Sequence, residues 1–324
     1  MDEITFGEFT QNTIDDKIAK LKEQVQKIII GQEQNVELLL TAVIANGHVL
    51  IEGVPGVAKT LSARLLAKLI NADFSRIQFT SDIMPSDILG TNVYNMSSNS
   101  FDFHKGPVFG DIVLVDEINR APAKTQSALF EVREEKQATI DGKVYPLSNI
   151  YTIIATQNPI EQAGTYRLPE AQMDRFMFKI SVGYPSLEDE MKILEGHNTN
   201  QEYTKLNGID PILSIADILE LREKASKIHA NANAIKYITK IVQQSRSHKS
   251  VYIGASPRAT IALLAASKAY ALIQGRDYII PDDIKMLAIP VMQHRISLTA
   301  EAEMEGISIQ QVIGEIVNSV NVPK

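Results

Sequence analysis

The residues best suited to chemistry in this 324-residue chain lie between His48 and Thr60, in the stretch HVLIEGVPGVAKT. Its apolar start predicts a short buried strand, Gly53 to Ala58 a glycine-rich turn, and Lys59 the start of a helix. Backbone N–H groups left unpaired at a helix start bind anions, and the helix dipole strengthens the effect. A lysine adds charge for the β- and γ-phosphates, and the Thr60 hydroxyl can hold Mg²⁺. The stretch therefore predicts a phosphate-binding loop.

One position departs from the usual pattern G-x-x-x-x-G-K-[ST], because Ala58 stands where a second glycine is common. Alanine disfavours a positive φ, so a left-handed turn at Ala58 would be strained. Gly56, inside the loop, could carry the tight turn instead. By itself the motif also fits a plain strand–turn–helix corner.

Polar side chains end two later apolar runs. Asp116 and Glu117 close one run, and Asn158 closes the next before Pro159. In a parallel sheet these ends meet at one edge, where Asp116 can join a Mg²⁺ shell and Glu117 can polarise water. Asn158 can hold the attacking water or a phosphate oxygen. Alone, the acids could simply end a strand, and Asn158 could be an ordinary turn residue.

The order of predicted elements gives the fold class. Strands alternate with helices as far as Pro185, which predicts an α/β domain with a doubly wound parallel sheet. Beyond Pro185 we find only helical periodicity, which predicts an all-helical second domain, and the Asn-rich segment from Asn198 to Gly208 is the expected linker. The domains are therefore placed at residues 1–197 and 198–324. Within the first, we expect a loose leader (1–13), a helix (15–30), an irregular polar segment (85–90), a small strand pair (93–94 with 101–103) and a β-hairpin (138–145).

Composition limits the possible classes of protein. The net charge of −7 argues against wrapping nucleic acid, and the absence of cysteine excludes disulfides and thiolate chemistry. The acidic N-terminus does not resemble a secretory signal, and no apolar run reaches the ~18 residues that span a membrane. The six histidines show no metal-ligand spacing. We therefore expect a soluble cytoplasmic protein without a membrane span.

Five motifs in order resemble the MoxR family of AAA+ ATPases. They are VLIEGVPGVAKT, FTSDIMPSDILGT, GPVFGDIVLVDEINRAPAKTQSALFEVREEKQATIDGKVYPL, IATQNPIEQAGTYRLPEAQMDRF and GASPRAT. The resemblance covers about residues 30 to 265, and the helical tail matches the lid of the family. It implies an α/β fold, an AAA+ P-loop NTPase core with a parallel sheet flanked by helices, plus an all-helical C-terminal lid domain. Alanine before the Walker lysine is common in the family.

The resemblance also implies roles for individual residues. Lys59 and Thr60 would belong to Walker A, Asp116 and Glu117 to Walker B, and Asn158 would be sensor 1. Arg175 looks like the arginine finger and Arg258 like sensor 2, a lid residue that senses the γ-phosphate. The nucleotide-binding set would be Gly53, Val54, Pro55, Gly56, Val57, Ala58, Lys59, Thr60, Leu61 and Arg258, with Ile30 and Gly31 flanking the adenine; Thr60 and Asp116 would hold the metal.

Some assignments stay open. Arg120 and Arg167 are alternatives to Arg175 for the charge that acts on a neighbouring subunit. Arg133 departs from the family, where an apolar residue is expected, but we predict it to lie on a surface helix. Residues 80–103 look like the helix-2 insert of the family and residues 136–147 like the hairpin before sensor 1.

The resemblance implies a Mg²⁺-dependent ATPase that forms a homo-oligomer, a nucleotide-dependent hexameric ring, and remodels protein complexes. Its partners would include proteins with von Willebrand factor A domains. Two alternatives are a nucleic-acid-stimulated motor and a nucleotide-gated scaffold without turnover. The insert carries Asp82, Asp87 and Asp102 but no lysine or arginine between Ser81 and Phe103, which argues against a nucleic-acid partner. The presence of both Glu117 and Arg175 argues against the scaffold.

Overall fold

The computed structural model describes residues 6–159, 166, 168–198, 206 and 208–322. The helices, in chain order, are α1 (Phe6–Ile28), α2 (Glu33–Ile44), α3 (Lys59–Leu69), α4 (Pro85–Leu89), α5 (Ala123–Glu135), α6 (Glu170–Met173), α7 (Leu187–Asn198), α8 (Ile215–Lys227), α9 (Ala232–Ser245), α10 (Pro257–Ile273), α11 (Pro281–Met292), α12 (Ala300–Met304) and α13 (Ile309–Ser319). The strands are β1 (Val49–Gly53), β2 (Phe74–Gln78), β3 (Gly90–Asn95), β4 (Ser100–Lys105), β5 (Ile112–Asp116), β6 (Gln137–Ile140), β7 (Lys143–Pro146), β8 (Thr152–Gln157), β9 (Phe178–Val182), β10 (Val251–Ile253) and β11 (Ser297–Leu298).

Five parallel strands form the central sheet, in the order β2-β5-β8-β1-β9. Their apolar side chains alternate between two cores. Val49 and Ile51 face the core beneath α1, α2 and α3, whereas Leu50 faces the core formed with α5. Both faces of the sheet are therefore covered, as expected for a parallel sheet whose strands are almost wholly apolar. This confirms the predicted α/β class.

The C-terminal helices do not form an isolated core. Buried residues of α8, α9, α10, α11 and α13 belong to the same apolar cluster as α1, α2 and one face of the sheet. The lid is also not purely helical, because β10 and β11 pair as a small antiparallel ribbon. Strands of three and two residues are too short to show alternation, which is why the sequence did not reveal them. The predicted linker falls largely outside the described residues.

Two segments predicted as irregular are helical. The leader prediction is wrong from Phe6 onward, since α1 begins there. Extending an existing helix costs much less than nucleating one, so the periodic segment after Asp15 can propagate upstream. Residues 85–89 form α4, with Pro85 in its first turn and the Asp87 carboxylate accepting the Met84 N–H at 2.8 Å. Proline suits a first turn because its missing N–H would be unpaired there.

Both predicted insertions are present as antiparallel hairpins, β3–β4 and β6–β7. Asp141 and Gly142 make the predicted turn of the second, both with positive φ. The hairpins touch, since the rings of Phe103 and Tyr145 lie 4.2 Å apart and Asn92 donates a hydrogen bond to Asp141. They therefore form a single composite surface, which leaves Met96 and Phe101 exposed.

Candidate nucleotide-binding site

The predicted phosphate loop connects β1 to α3, as the sequence suggested. Gly56 has a left-handed backbone with a φ of +87°, and no described atom beyond its two chain neighbours lies within 4 Å of the position that a Cβ would take there. Ala58 is left-handed as well, with φ 55° and ψ 18°, directly before the first residue of α3. Gly56 therefore does not relieve Ala58 of the positive φ, and the alanine bears the predicted strain.

The start of α3 suits an anion. Ala58 provides no side-chain cap, and the first turn contains no acidic residue. The N–H groups of this turn and the positive end of the helix dipole consequently point towards the loop, which favours an anion there. Lys59 folds back so that its ammonium donates to the Gly53 carbonyl. That contact holds the charge at the mouth of the loop.

Sheet order places the polar strand ends together. β8 lies between β1 and β5, with Ile51 opposite Thr156 and Val115 opposite Ala155. Asn158 therefore follows β8 at the same edge as the loop after Gly53 on one side and Asp116 on the other. Asn158 is buried. The carboxyl edge of the sheet is where ligands bind in this architecture.

Asp116 and Glu117 are held by Thr156, which the sequence did not single out. The Thr156 hydroxyl donates to one Asp116 oxygen at 3.0 Å and accepts the Glu117 N–H at 3.1 Å. Glu117 has a left-handed backbone with a φ of 56°, and its carboxylate pairs with Arg120 at 2.9 Å. A threonine inside an otherwise apolar strand end was the available signal. This geometry turns both acids towards the carboxyl edge.

Arg120 and Arg167 were the alternative trans-acting residues. Arg120 pairs with Glu117 of its own chain, so it belongs to the same edge as the loop. Arg167 lies outside the described residues.

Gly31 has a φ of +72° and approaches α7 so closely that a Cβ there would lie 2.5 Å from Asp189. The adenine-flanking role of Ile30 and Gly31 stays a prediction.

Arg175 and Arg258 lie at the opposite end of β1 from the loop. β9 pairs with β1 through Val49 and Phe178, which puts Arg175 beside the residues that precede β1. A surface pocket of about 330 Å³ is lined by Asn46, Arg175 and Arg258, among others. Because β1 has five residues at roughly 3.3 Å each, this pocket is about 15 Å from the loop. The structure therefore does not bring Arg258 to the phosphate loop of its own chain.

Acidic neighbours hold the two arginines in this pocket. Arg175 pairs with Glu134 at 2.6 Å, and an Arg258 nitrogen lies 3.7 Å from Asp174. Asp174 also binds Arg295, whose side chain is nearly buried. The Arg295 guanidinium donates to the Asp174 carboxylate and to the Asp174 backbone carbonyl, each at 2.8 Å. Arg295 also donates to the Phe176 carbonyl at 2.6 Å. Its place after α11 offered no sequence signal for this role, since its partners lie about 120 positions away.

Arg133 is buried, contrary to the prediction of a surface position. Its side chain is 3% exposed, and its guanidinium lies 4.6 Å from the ring centre of Phe130 and 4.9 Å from that of Phe176. Burial lowers the pKa of Arg133 to about 10, and the nearby Arg175 charge adds to the effect. Neither terminal nitrogen has a hydrogen-bond partner among the described residues. Stacking on two aromatic faces allows a cation to occupy a position where the helix pattern suggested solvent.

Among the residues that the structure describes, we find no helix with both the length and the apolar character needed to cross a membrane.

Known proteins resemble this chain along nearly its whole length. Residues 48–178 match the profile of the ATPase family associated with various cellular activities (AAA), and residues 243–316 match an AAA lid domain. Chaperone MoxR1 of Mycobacterium tuberculosis is 43% identical over 310 residues, covering 93% of this chain and 81% of that protein. YeaC of Bacillus subtilis is 44% identical over 306 residues, covering 94% and 95%.

A crystal structure of a protein from Cytophaga hutchinsonii superposes with a TM-score of 0.90. It is 43% identical and the match covers 99% of each chain. Identity at this level over whole chains, together with the matched core and lid, confirms the resemblance seen in the motifs. The chain belongs to the MoxR family of AAA+ ATPases.

Proposed function

We propose that this chain binds ATP together with Mg²⁺ at the phosphate loop, hydrolyses it in a ring of identical subunits, and uses the cycle to remodel a protein partner. The observation that carries the proposal is the separation of the site into two halves. Lys59, Asp116, Glu117 and Asn158 gather at the carboxyl edge of the sheet, whereas Arg175 lies beyond the amino end of β1. A second copy must supply the arginine.

The carboxyl edge fits a nucleotide with a hard divalent cation. The first turn of α3 presents N–H groups and Lys59 to the phosphates, while the Thr60 hydroxyl and the Asp116 carboxylate are oxygen ligands of the kind Mg²⁺ prefers. When bound there, Mg²⁺ neutralises charge on the β- and γ-phosphate oxygens. Glu117, once released from Arg120, accepts a proton from the attacking water, and Asn158 orients that water.

Arg175 and Arg258 lie in one pocket, so both are suited to approach the γ-phosphate of a neighbouring subunit. An arginine finger is worth ~10³–10⁵ in rate, because it stabilises charge that develops on the transferred group. Arg258 would then sense the γ-phosphate bound to the neighbouring subunit, and not a γ-phosphate bound at the loop of its own chain. The Arg295 clamp on Asp174 connects this pocket to the end of α11, so nucleotide state can be transmitted to the lid.

The decisive experiment mixes two inactive variants. Arg175→Ala should keep ATP affinity near wild type but lose turnover, and Glu117→Gln should bind ATP without hydrolysing it. In a mixed ring, an intact loop meets an intact Arg175 at about one interface in four, so phosphate release should recover to about a quarter of wild type. No recovery in rings shown by sizing to be mixed would refute action in trans.

Nucleotide binding has its own test. Lys59→Ala should lose affinity for mant-ATP, while Lys68→Ala, which removes a lysine from the last turn of the same helix, should not. Unchanged affinity in Lys59→Ala would refute the loop assignment. Turnover that rises strongly with DNA or RNA would favour the motor, and ATP binding without phosphate release would favour the scaffold.

The composite hairpin surface supports contact with a protein client. Met96 is 88% and Phe101 68% exposed, an apolar pair at the tip of an insert without lysine or arginine between Ser81 and Phe103. The relative from Mycobacterium tuberculosis is named a chaperone, which agrees with such a role. A purified von Willebrand factor A domain protein should bind ATP-loaded Glu117→Gln and fail to bind when Met96 and Phe101 are also replaced by serine. Equal binding would exclude this surface.

A further inference from the structure

We propose that Arg76 competes with the divalent cation for Asp116 and so weakens metal binding at the nucleotide site. The inference rests on the proposed function, because it concerns the same carboxylate. Arg76 lies in β2 and was not among the residues singled out from the sequence. Its role would be to keep the site poor in metal until a nucleotide arrives.

Strand register brings the two side chains together. Arg76 lies opposite Leu114 in the parallel pair of β2 and β5, and Asp116 follows Leu114 by two residues. Residues two apart in a strand point to the same face, so Arg76 and Asp116 share one face of the sheet. The Arg76 Nε donates to Asp116 Oδ2 at 2.6 Å.

Both oxygens of Asp116 consequently have protein partners. Oδ1 accepts the Thr156 hydroxyl at 3.0 Å, and Oδ2 accepts Arg76. The threonine is neutral and can remain beside a metal. The guanidinium is a full positive charge at hydrogen-bonding distance from the oxygen that a divalent cation would use, directly or through a water. The two cations repel each other, so binding the metal requires Arg76 to move away.

Arg76 is able to move. Its side chain is 53% exposed at the edge strand of the sheet, whereas the Asp116 side chain is 9% exposed. An ion pair with one solvated partner contributes little to stability, so the arginine can be displaced without loss of the fold. Arg295 differs, because its side chain is 3% exposed and it holds several partners at once. Arg76 therefore acts as an exchangeable counter-ion and Arg295 as a fixed clamp.

This arrangement couples the metal to the nucleotide. Without nucleotide, Asp116 is paired with Arg76 and Glu117 with Arg120, which leaves a divalent cation little net attraction. Phosphate groups add negative charge, so metal and nucleotide together displace the arginine. After hydrolysis and loss of the γ-phosphate, the return of Arg76 to Asp116 favours release of the metal.

The test measures metal affinity directly. Mn²⁺ binding to the full chain with saturating ADP is followed by the EPR signal of free Mn²⁺. Arg76→Gln removes the charge but keeps an amide that can donate to Asp116, and it should raise Mn²⁺ affinity roughly tenfold. Arg76→Lys keeps the charge and should stay near wild type. Arg76→Met repeats the removal of charge without a donor and should match the glutamine variant.

The control is Arg64→Gln, which removes an exposed arginine on α3 for which no ion pair is recorded in the described structure. It should leave Mn²⁺ affinity unchanged. Affinity for mant-ADP in EDTA should be equal in all variants, which separates this inference from the proposed function. If wild type binds no mant-ADP, the proposed function fails; if nucleotide binds but both charge-removing variants keep wild-type Mn²⁺ affinity, only the competition is refuted. A drop in melting temperature without a change in Mn²⁺ affinity would likewise make Arg76 merely structural.

Discussion

Replacing Ala58 by glycine should stabilise the protein, although most alanine-to-glycine changes next to a helix do the opposite. Ala58 has φ 55° and ψ 18°, a left-handed conformation that costs an alanine about 1–2 kcal/mol. Glycine adopts it without that cost, but glycine also gains about 0.4–1 kcal/mol of freedom in the unfolded chain. The difference predicts that Ala58→Gly raises the free energy of unfolding by about 0.5–1 kcal/mol.

The assay is equilibrium unfolding in urea without nucleotide, followed by far-ultraviolet circular dichroism. Ala216→Gly is the matched control, because Ala216 is an exposed residue in the first turn of α8, whose φ is not positive. That change should lower stability by roughly 0.5–1 kcal/mol, since glycine is costly in a right-handed helix. The two substitutions are chemically identical, so opposite signs isolate the backbone conformation.

Stability and binding should separate in this variant. A glycine at position 58 lets the empty loop sample more conformations, so more ordering must accompany phosphate binding. Ala58→Gly should therefore bind mant-ADP more weakly than wild type while unfolding at higher urea. If it loses stability to the same extent as Ala216→Gly, the left-handed strain inferred at Ala58 is wrong.

Three further predictions concern residues near the Arg175 pocket. Arg133→Met should keep or raise the free energy of unfolding, by up to about 2 kcal/mol, because an apolar chain replaces a buried cation whose terminal nitrogens have no hydrogen-bond partner among the described residues. A loss above about 2 kcal/mol in urea would contradict this. Arg295→Met should lower the free energy of unfolding by about 1.5–3 kcal/mol, because it removes the charged hydrogen bonds to the Asp174 carboxylate and carbonyl, while Ser256 and Arg258 still contact that carboxylate. The melting temperature of the Lys285→Met control should stay near wild type. Burial lowers the pKa of His294 well below 6.5, so the unfolded chain binds a proton that the folded chain does not, and stability should fall as pH drops below about 6.5. His294→Gln can still donate to the Phe176 carbonyl. It should weaken the dependence of the free energy of unfolding on pH, measured by urea titrations between about pH 5 and 7. An unchanged pH dependence would show that other groups cause it.

Local patterns predicted much of the candidate site. The strand, loop and helix around Lys59 are contiguous in the chain, so residue type and spacing were sufficient to place them. Apolar runs ending in Asp116 and Asn158 predicted neighbouring strand ends, and the sheet order confirms that β8 lies between β1 and β5. That a left-handed Ala58 would be strained also followed from the preference of alanine for negative φ, but only the structure showed that Ala58 adopts this conformation in addition to Gly56.

The sequence by itself therefore determined the strand–loop–helix segment around Lys59, the parallel sheet and the polar ends of its strands, because each depends on residues close together in the chain. Only the tertiary structure decided the surroundings of Arg133, Arg258 and Arg295. Arg295 reaches Asp174 across 121 positions, and Arg133 of α5 stacks on Phe176, which lies just before β9. Helical periodicity shows only which residues on a helix face are polar. It cannot distinguish an arginine that is buried between two aromatic rings from an arginine that is exposed to solvent. The distance between Arg258 and its own loop depends on how the lid packs against the sheet, which no local spacing encodes.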